Sequence, residues 1–299
     1  MKLSVIIPSY NQADKLKICL QRLAEQEISK DIFEIVVIDD GSIDHTQDIV
    51  KQFQKNTSLA IEYFREENQG RSVARNLGIE KAKGEIILFI GSDIMVAKGF
   101  LKEHLIFHDK YKNNSVVILG YTSVCPRVST PFLEWYNKKF QFGYQNLKHG
   151  DEISWRYFYT SNISLKRKFL TESKERFNEG FKKYGWEGTE FGYRLYTKGM
   201  KFFYNQRASA CHDHAIDLGS AKKQVYGMGQ SAQVFYKINK EAAELSDIKT
   251  LGYFKMTCAR MLMLFYPLIK FLGIKFLISK CWSAILYQEF NKGLKIKLK

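Results

Sequence analysis

The sequence predicts an α/β protein built on a mostly parallel sheet flanked by helices, and three observations carry that expectation. Strands and helices alternate without a break for about 120 residues, the pattern of a doubly wound sheet. The strands are continuous apolar runs, as expected where helices cover both faces. The clearest of them lies in Gly84–Val96, GEIILFIGSDIMV, and ends in a single carboxylate, Asp93. Ligands of open α/β sheets bind in the crevice outside the carboxyl ends of the strands, so an acid there is placed to hold a cation against a phosphate.

Taken in order, Leu3 to Pro8 reads as a buried strand and Ala13 to Glu27 as a helix with Leu16, Leu20 and Leu23 on one face. Glu34 to Asp40 (EIVVIDD) is a second strand ending in two acids, followed by a Gly41-Ser42 turn and a helix that Asp44 can cap. Ala60 to Arg65 is a weaker third strand, and Asn68-Gln69-Gly70 is a turn before a helix from Arg71 to Ala82. After the Asp93 strand come a helix over Lys98 to Tyr111 and a strand over Val116 to Gly120. Right-handed crossovers would bring Pro8-Ser9-Tyr10, Asp39-Asp40, the Asn68 to Arg71 turn and Asp93 to one rim.

From Tyr121 to Lys168 the chain is dense in aromatics, whose area assigns most of them to packing. Ser161 to Leu165 is expected to rejoin the sheet, and Trp186 to Lys198 to form a helix stopped by Gly199. Lys201 to Tyr204 and Ala208 to Cys211 read as two short strands, and the chain past Ala221 as helical. Residues 1–120 thus form a candidate nucleotide-binding half, 121–235 a second, aromatic-rich half, and 236–299 a basic apolar tail. In that tail Pro267, Lys270, Lys275 and Lys280 interrupt the apolar run, which favours helices lying in a membrane interface over a span.

The net charge of +15 is consistent with nucleic acid, anionic lipid or anionic substrates. More than half of it, a net +8, falls in Lys255 to Lys299. Charge clustered in an apolar tail points to a membrane surface and away from nucleic acid. Five scattered cysteines, with no CxxC pair, argue against a disulfide framework, and the N-terminus shows no signal peptide. Together these predict a cytoplasmic protein, peripheral on the inner face of the membrane. His104 and His108 are four apart on one helix, but Glu103 precedes rather than follows the first, so packing is expected.

SVIIPSYN (4–11), VVIDDGSIDHT (36–46), NQGRSVARNLGI (68–79) and GEIILFIGSD (84–93) occur in the order and spacing of family 2 glycosyltransferases, which the first 235 or so residues resemble. Phe177 to Met200 is similar to the family's acceptor-side segment. The resemblance implies the GT-A fold and inverting transfer of a sugar from a nucleotide-diphosphate donor, most commonly UDP-linked, to a glycan or lipid-linked acceptor. It implies donor contacts at Pro8, Tyr10, Asp39, Asp40, Gly70, Arg71, Ser92 and Asp93, and a divalent metal, Mn2+ or Mg2+, on Asp93 and His212. His214, two residues on, would share a strand face with His212 and remains an alternative ligand; both can equally be polar surface.

Two motifs depart from the family. Its Asp-x-Asp reads Gly91-Ser92-Asp93, and its Glu-Asp pair reads Glu187-Gly188, without the usual general base. Glu190 precedes Arg194 by four residues and is expected to pair with it. Glu187 is left as the candidate base, with a favourable charge at a helix N-terminus as its structural alternative. The expected activity is therefore metal-assisted glycosyl transfer in polysaccharide, cell-envelope or glycolipid synthesis. The alternative is a catalytically inactive sugar-nucleotide or glycan-binding protein on the same fold.

Overall fold

A computed structural model describes residues 1–246, 248 and 264–294. Eight strands form one sheet: β1 (Leu3–Ser9), β2 (Phe33–Asp39), β3 (Ala60–Arg65), β4 (Ile86–Ile90), β5 (Ile94–Val96), β6 (Val116–Val124), β7 (Asn162–Lys166) and β8 (Lys201–His212). Their order is β3-β2-β1-β4-β7-β6-β8-β5. β3, β2, β1 and β4 run parallel, as do β6 and β8, while β7 and β5 are antiparallel to their neighbours. The sheet is mostly parallel, as the apolar runs require, and it passes through both halves of the chain.

Helices α1 (Ala13–Ala24), α2 (Thr46–Asn56), α3 (Arg71–Lys81), α4 (Phe100–Lys110), α5 (Pro131–Tyr136), α6 (Arg167–Ser173), α7 (Glu187–Thr197), α8 (Leu218–Ile238) and α9 (Lys240–Leu245) cover it. β1 divides the core: Val5 and Ile7 face a cluster with Leu16, Leu20 and Leu23 of α1, and Ile6 faces one with Ala74 of α3 and Phe191 of α7. Most of the aromatic stretch is packing, with Tyr136, Phe142, Tyr144, Trp155 and Phe158 all buried.

Three expectations are corrected. The two short strands at 201–204 and 208–211 are one strand, β8, whose pairing with β6 shifts register at Gly120/Tyr121 and so absorbs the polar Asn205-Gln206-Arg207 interruption. A strand went unread after Asp93: β5 is only three residues long, too short for a period. Finally, Cys125 and Cys211 form a disulfide across 86 residues, against the expectation from scattered cysteines. The parallel pairing of β6 with β8 brings them together, a proximity no local spacing reveals.

The tail holds α10 (Tyr266–Phe271) and α11 (Lys275–Leu294), and no helix among the described residues is long and apolar enough to cross a membrane. Met256 to Met263, the start of the apolar run, and the terminal Lys295, Lys297 and Lys299 lie outside the described residues. α11 lies on α8 with the backbones nearly touching, because Gly229 faces Phe290 and Gly293 faces Tyr226.

His104 and His108 are core residues, as expected. His104 Nδ1 and Nε2 lie 2.8 Å from Ser164 Oγ and 2.9 Å from Asn162 Oδ1, and His108 Nε2 lies 2.9 Å from Ser164 Oγ. Burial pushes their pKa values down to about 4 and about 3. The unfolded chain protonates both near pH 6.5 while the folded chain does not, so their contribution is complete above that pH and is lost as pH falls toward 4. Urea titrations should show stability falling by about 1.4 kcal/mol per pH unit for each histidine over that window. His108→Gln should remove about half of the slope.

Candidate donor and metal site

The chain winds from β1 outward to β3 and then returns to β4 on the other side, so the crevice between the ends of β1 and β4 is the topological switch point. Ser92 Oγ donates to Gln12 Oε1 across it at 2.7 Å. Pro8 lies within β1, and Tyr10 stands just beyond its end, 47% exposed. Asp39 and Asp40 reach the same rim but are committed to the protein. Asp39 accepts from Ser42 N at 2.8 Å and Tyr63 OH at 2.5 Å. Asp40 accepts from Gln69 N at 2.7 Å and Gly70 N at 3.1 Å. The N–H of Gly70, an expected donor contact, is thus answered by a carboxylate. Gly70 has φ +98°, which a residue with a Cβ adopts only under strain. Arg71 follows it, exposed, with its guanidinium 4.9 Å over the Tyr184 ring.

Asp93 meets two imidazoles. β5 pairs with β8 in a register that sets Ile94 against His212, and Asp213 N donates to Asp93 O at 2.8 Å. His212 Nε2 lies 3.1 Å from Asp93 Oδ2 and His214 Nδ1 lies 3.4 Å from the same oxygen. Burial alone would raise the Asp93 pKa, but the two histidines hold it well below the usual carboxylate range. One ligand atom from each of the three lies within 4.8 Å of the others. His214 Nδ1, though buried, completes no hydrogen bond. A carboxylate with two imidazoles, one of them unsatisfied, fits a divalent metal, with imidazole favouring Mn2+ over Mg2+.

The segment is braced from behind. Cys125 N donates to His212 O at 3.1 Å, next to the disulfide, and Arg127 binds the buried Asp213 through Nε and Nη2. Sequence reading missed Arg127 and Asp213; their only signal is an acid between two candidate ligands.

On the acceptor side, Glu190 pairs with Arg194 Nε at 2.7 Å as its spacing predicts. Glu187, the candidate base, has a partner: Arg75 Nη1, 3.2 Å from Oε1, with both side chains buried. Glu187 Oε2 takes no hydrogen bond among the described residues. A Cβ on Gly188 would stand 2.5 Å from Phe158 O, which leaves no room for the family's aspartate. Gly185 (φ +95°) and Trp186 (φ +71°) make the left-handed turn that opens α7 here.

Two side chains unread in the sequence complete the cleft. Burial raises the Tyr184 hydroxyl pKa; Arg71 opposes this, and the charges of Glu187 and Asp93 add to it, so the phenol stands among groups from both halves of the chain. Gln141 ends a π turn, Asn137–Gln141, with its side chain beside that hydroxyl. Such turns are frequent at functional sites.

A sequence profile described as glycosyl transferase family 2 matches residues 4–172. The uncharacterized glycosyltransferase YfnE of Bacillus subtilis is 29% identical over 247 residues, covering 68% of this chain and 62% of that one. The poly(ribitol-phosphate) beta-N-acetylglucosaminyltransferase TarS of Staphylococcus aureus is 35% identical over 118 residues, 40% of this chain and 21% of TarS. The chain thus spans less than two thirds of the length of these curated relatives. Among solved structures, TarS 1–349 with UDP-GlcNAc aligns at TM-score 0.60 and 18% identity, over 99% of this chain and 93% of that one. The mannosyltransferase PcManGT of Pyrobaculum calidifontis, with GDP-Man and Mn2+, aligns at 0.60 and 16%, over 96% and 87%. These likenesses show the fold, the GT-A arrangement that the motifs implied.

Restoring the family's acid should therefore fail. Gly188→Asp is expected to cost about 1–3 kcal/mol through overpacking against Phe158, measured by denaturant unfolding, and to give no gain in transfer. An unchanged midpoint would mean that the helix start can move aside.

Proposed function

The chain belongs to glycosyl transferase family 2, and from that premise we propose that it moves a sugar from a nucleotide-diphosphate donor, UDP-linked by preference, to an acceptor hydroxyl with inversion. The observation that carries the reading is Asp93 with His212 and His214 at the switch point of the sheet. Asp93, His212 and His214 would hold the divalent metal, which when bound supplies neutralising charge for the diphosphate.

The chain's own residues supply the rest. Arg71 is placed to answer the diphosphate charge. Tyr10 and Ser92 border the donor crevice, while Pro8, Asp39, Asp40 and Gly70 shape its rim by holding the turns around it. Glu187 Oε2 takes the proton of the acceptor hydroxyl as that oxygen bonds to the anomeric carbon, and the bond to the diphosphate breaks on the opposite face. Arg75 keeps Oε1 occupied, so one oxygen orients the group and the other works. Gln141 can bind a second acceptor hydroxyl. The acceptor is a glycan or a lipid-linked glycan, and the tail meets a membrane surface.

A second reading, a sugar-nucleotide-binding protein without turnover, is favoured by the crowding at Gly188 and by the ion pair on Glu187. Calorimetry and turnover separate the two. Wild type should bind UDP more tightly with Mn2+ than without, and Asp93→Ala should lose that dependence. Glu187→Gln should keep donor binding while transfer falls by about 10²–10⁴-fold. Donor binding with neither hydrolysis nor transfer to any acceptor would select the binding protein. Binding of UDP indifferent to both Mn2+ and Asp93 would remove the metal site.

A further inference from the structure

The most apolar exposed surface among the described residues is the tip formed by α10 and the start of α11. Phe271 is 87% exposed, Leu264 78% and Phe276 68%, and Phe265, Leu268 and Leu272 are each more than half exposed. Lys270, Lys275 and Lys280 are exposed among them, and no acid occurs from Leu264 until Glu289. Gly273, at φ +66°, makes the turn between the helices.

The tip is rooted in the body. Trp282 Nε1 donates to Tyr266 OH at 3.1 Å, joining α11 to α10. Phe132 and Trp135 pack on Trp282 with ring centroids 5.0 and 5.3 Å apart. Farther along, Cys281, Leu286 and Phe290 are buried, and Gln233 Nε2 donates to Gly293 O at 2.6 Å from α8. The exposed side chains are therefore held out on a braced hairpin. α8 itself begins at Leu218, shortly after His214, so the same scaffold connects the tip to the metal side of the site.

We propose that this tip is a wedge that inserts its phenylalanines and leucines into an anionic lipid surface while its lysines meet the headgroup phosphates. The proposal rests on the reading above that the tail meets a membrane, and it names the segment and the lipid class. An exposed apolar patch of this kind marks an interaction surface. Its charge selects the partner: three lysines stand among the apolar side chains, where their stems can lie along apolar surface and their heads can reach anionic headgroups. A symmetric contact with a second copy would instead set the same three lysines near one another.

The test is sedimentation of the full chain with phosphatidylcholine vesicles, with and without phosphatidylglycerol, and light scattering of the protein alone. Wild type should bind the anionic vesicles. Phe271→Ser combined with Phe276→Ser should lose at least about tenfold in affinity, and each Lys→Gln about fivefold at low salt. These exposed sites should leave the unfolding midpoint and UDP binding unchanged. Wild type that binds neither vesicle overturns both the tip and the membrane reading. Vesicle binding equal in the wild type and the tip variants overturns the tip alone. A dimer that the tip variants dissolve, without vesicle binding, overturns the lipid in favour of a second copy.

Discussion

The site depends on one short ladder. β5 is three residues long, yet its pairing with β8 sets Ile94 beside His212 and delivers Asp213 N to Asp93 O. Asp93 comes from the first half of the chain and His212 lies 119 residues later. A slip by one residue would turn the side chains of β8 to opposite faces and remove His212 from the carboxylate. Such a ladder is too short to hold its own register, which explains the concentration of restraints behind it. The disulfide, the Cys125–His212 backbone bond and the Arg127–Asp213 pair all act within four residues of Cys211.

The departures from the family's motifs acquire a steric meaning. A Cβ on Gly91 would stand 2.6 Å from Asp93 Oδ1, so the present posture of Asp93 uses space that a first aspartate would need. At α7 the argument repeats. Gly188 and Gly192 are four apart, and a Cβ on either would press on Phe158, so the helix lies directly on the 155–158 backbone. Close backbone approach took the place of the acid.

The parallel half of the fold was legible because its rules are local. Buried strands such as β2 are unbroken apolar runs, and Gly70 and Gly199, both at positive φ, mark ends that only glycine fits easily. The Glu190–Arg194 pair was legible for the same reason, since the spacing i to i+4 is a geometric fact about helices. What escaped was non-local. The Cys125–Cys211 bond, Arg75 against Glu187 and Arg127 against Asp213 join residues 86 or more apart. Tyr184 and Gln141 belong to the cleft only because irregular segments, a left-handed turn and a π turn, point them there; neither has a sequence period.

The Arg75–Glu187 pair is the hardest of these to explain by stability alone. Both side chains are buried, and burial pushes the Arg75 pKa down even though Glu187 pulls it back up, so desolvation outweighs the pairing there. Arg75 Nε, moreover, is enclosed with no hydrogen-bond partner. Replacing such a pair by well-packed apolar residues is often neutral or stabilising, because each ion pays for leaving water. A pair with one nitrogen unanswered is a poor way to hold α3 against α7. It does fix one oxygen of the Glu187 carboxylate and leave the other without a partner among the described residues, where α3 meets α7. Stability alone does not account for it, and the proposed role of Glu187 toward an acceptor hydroxyl would.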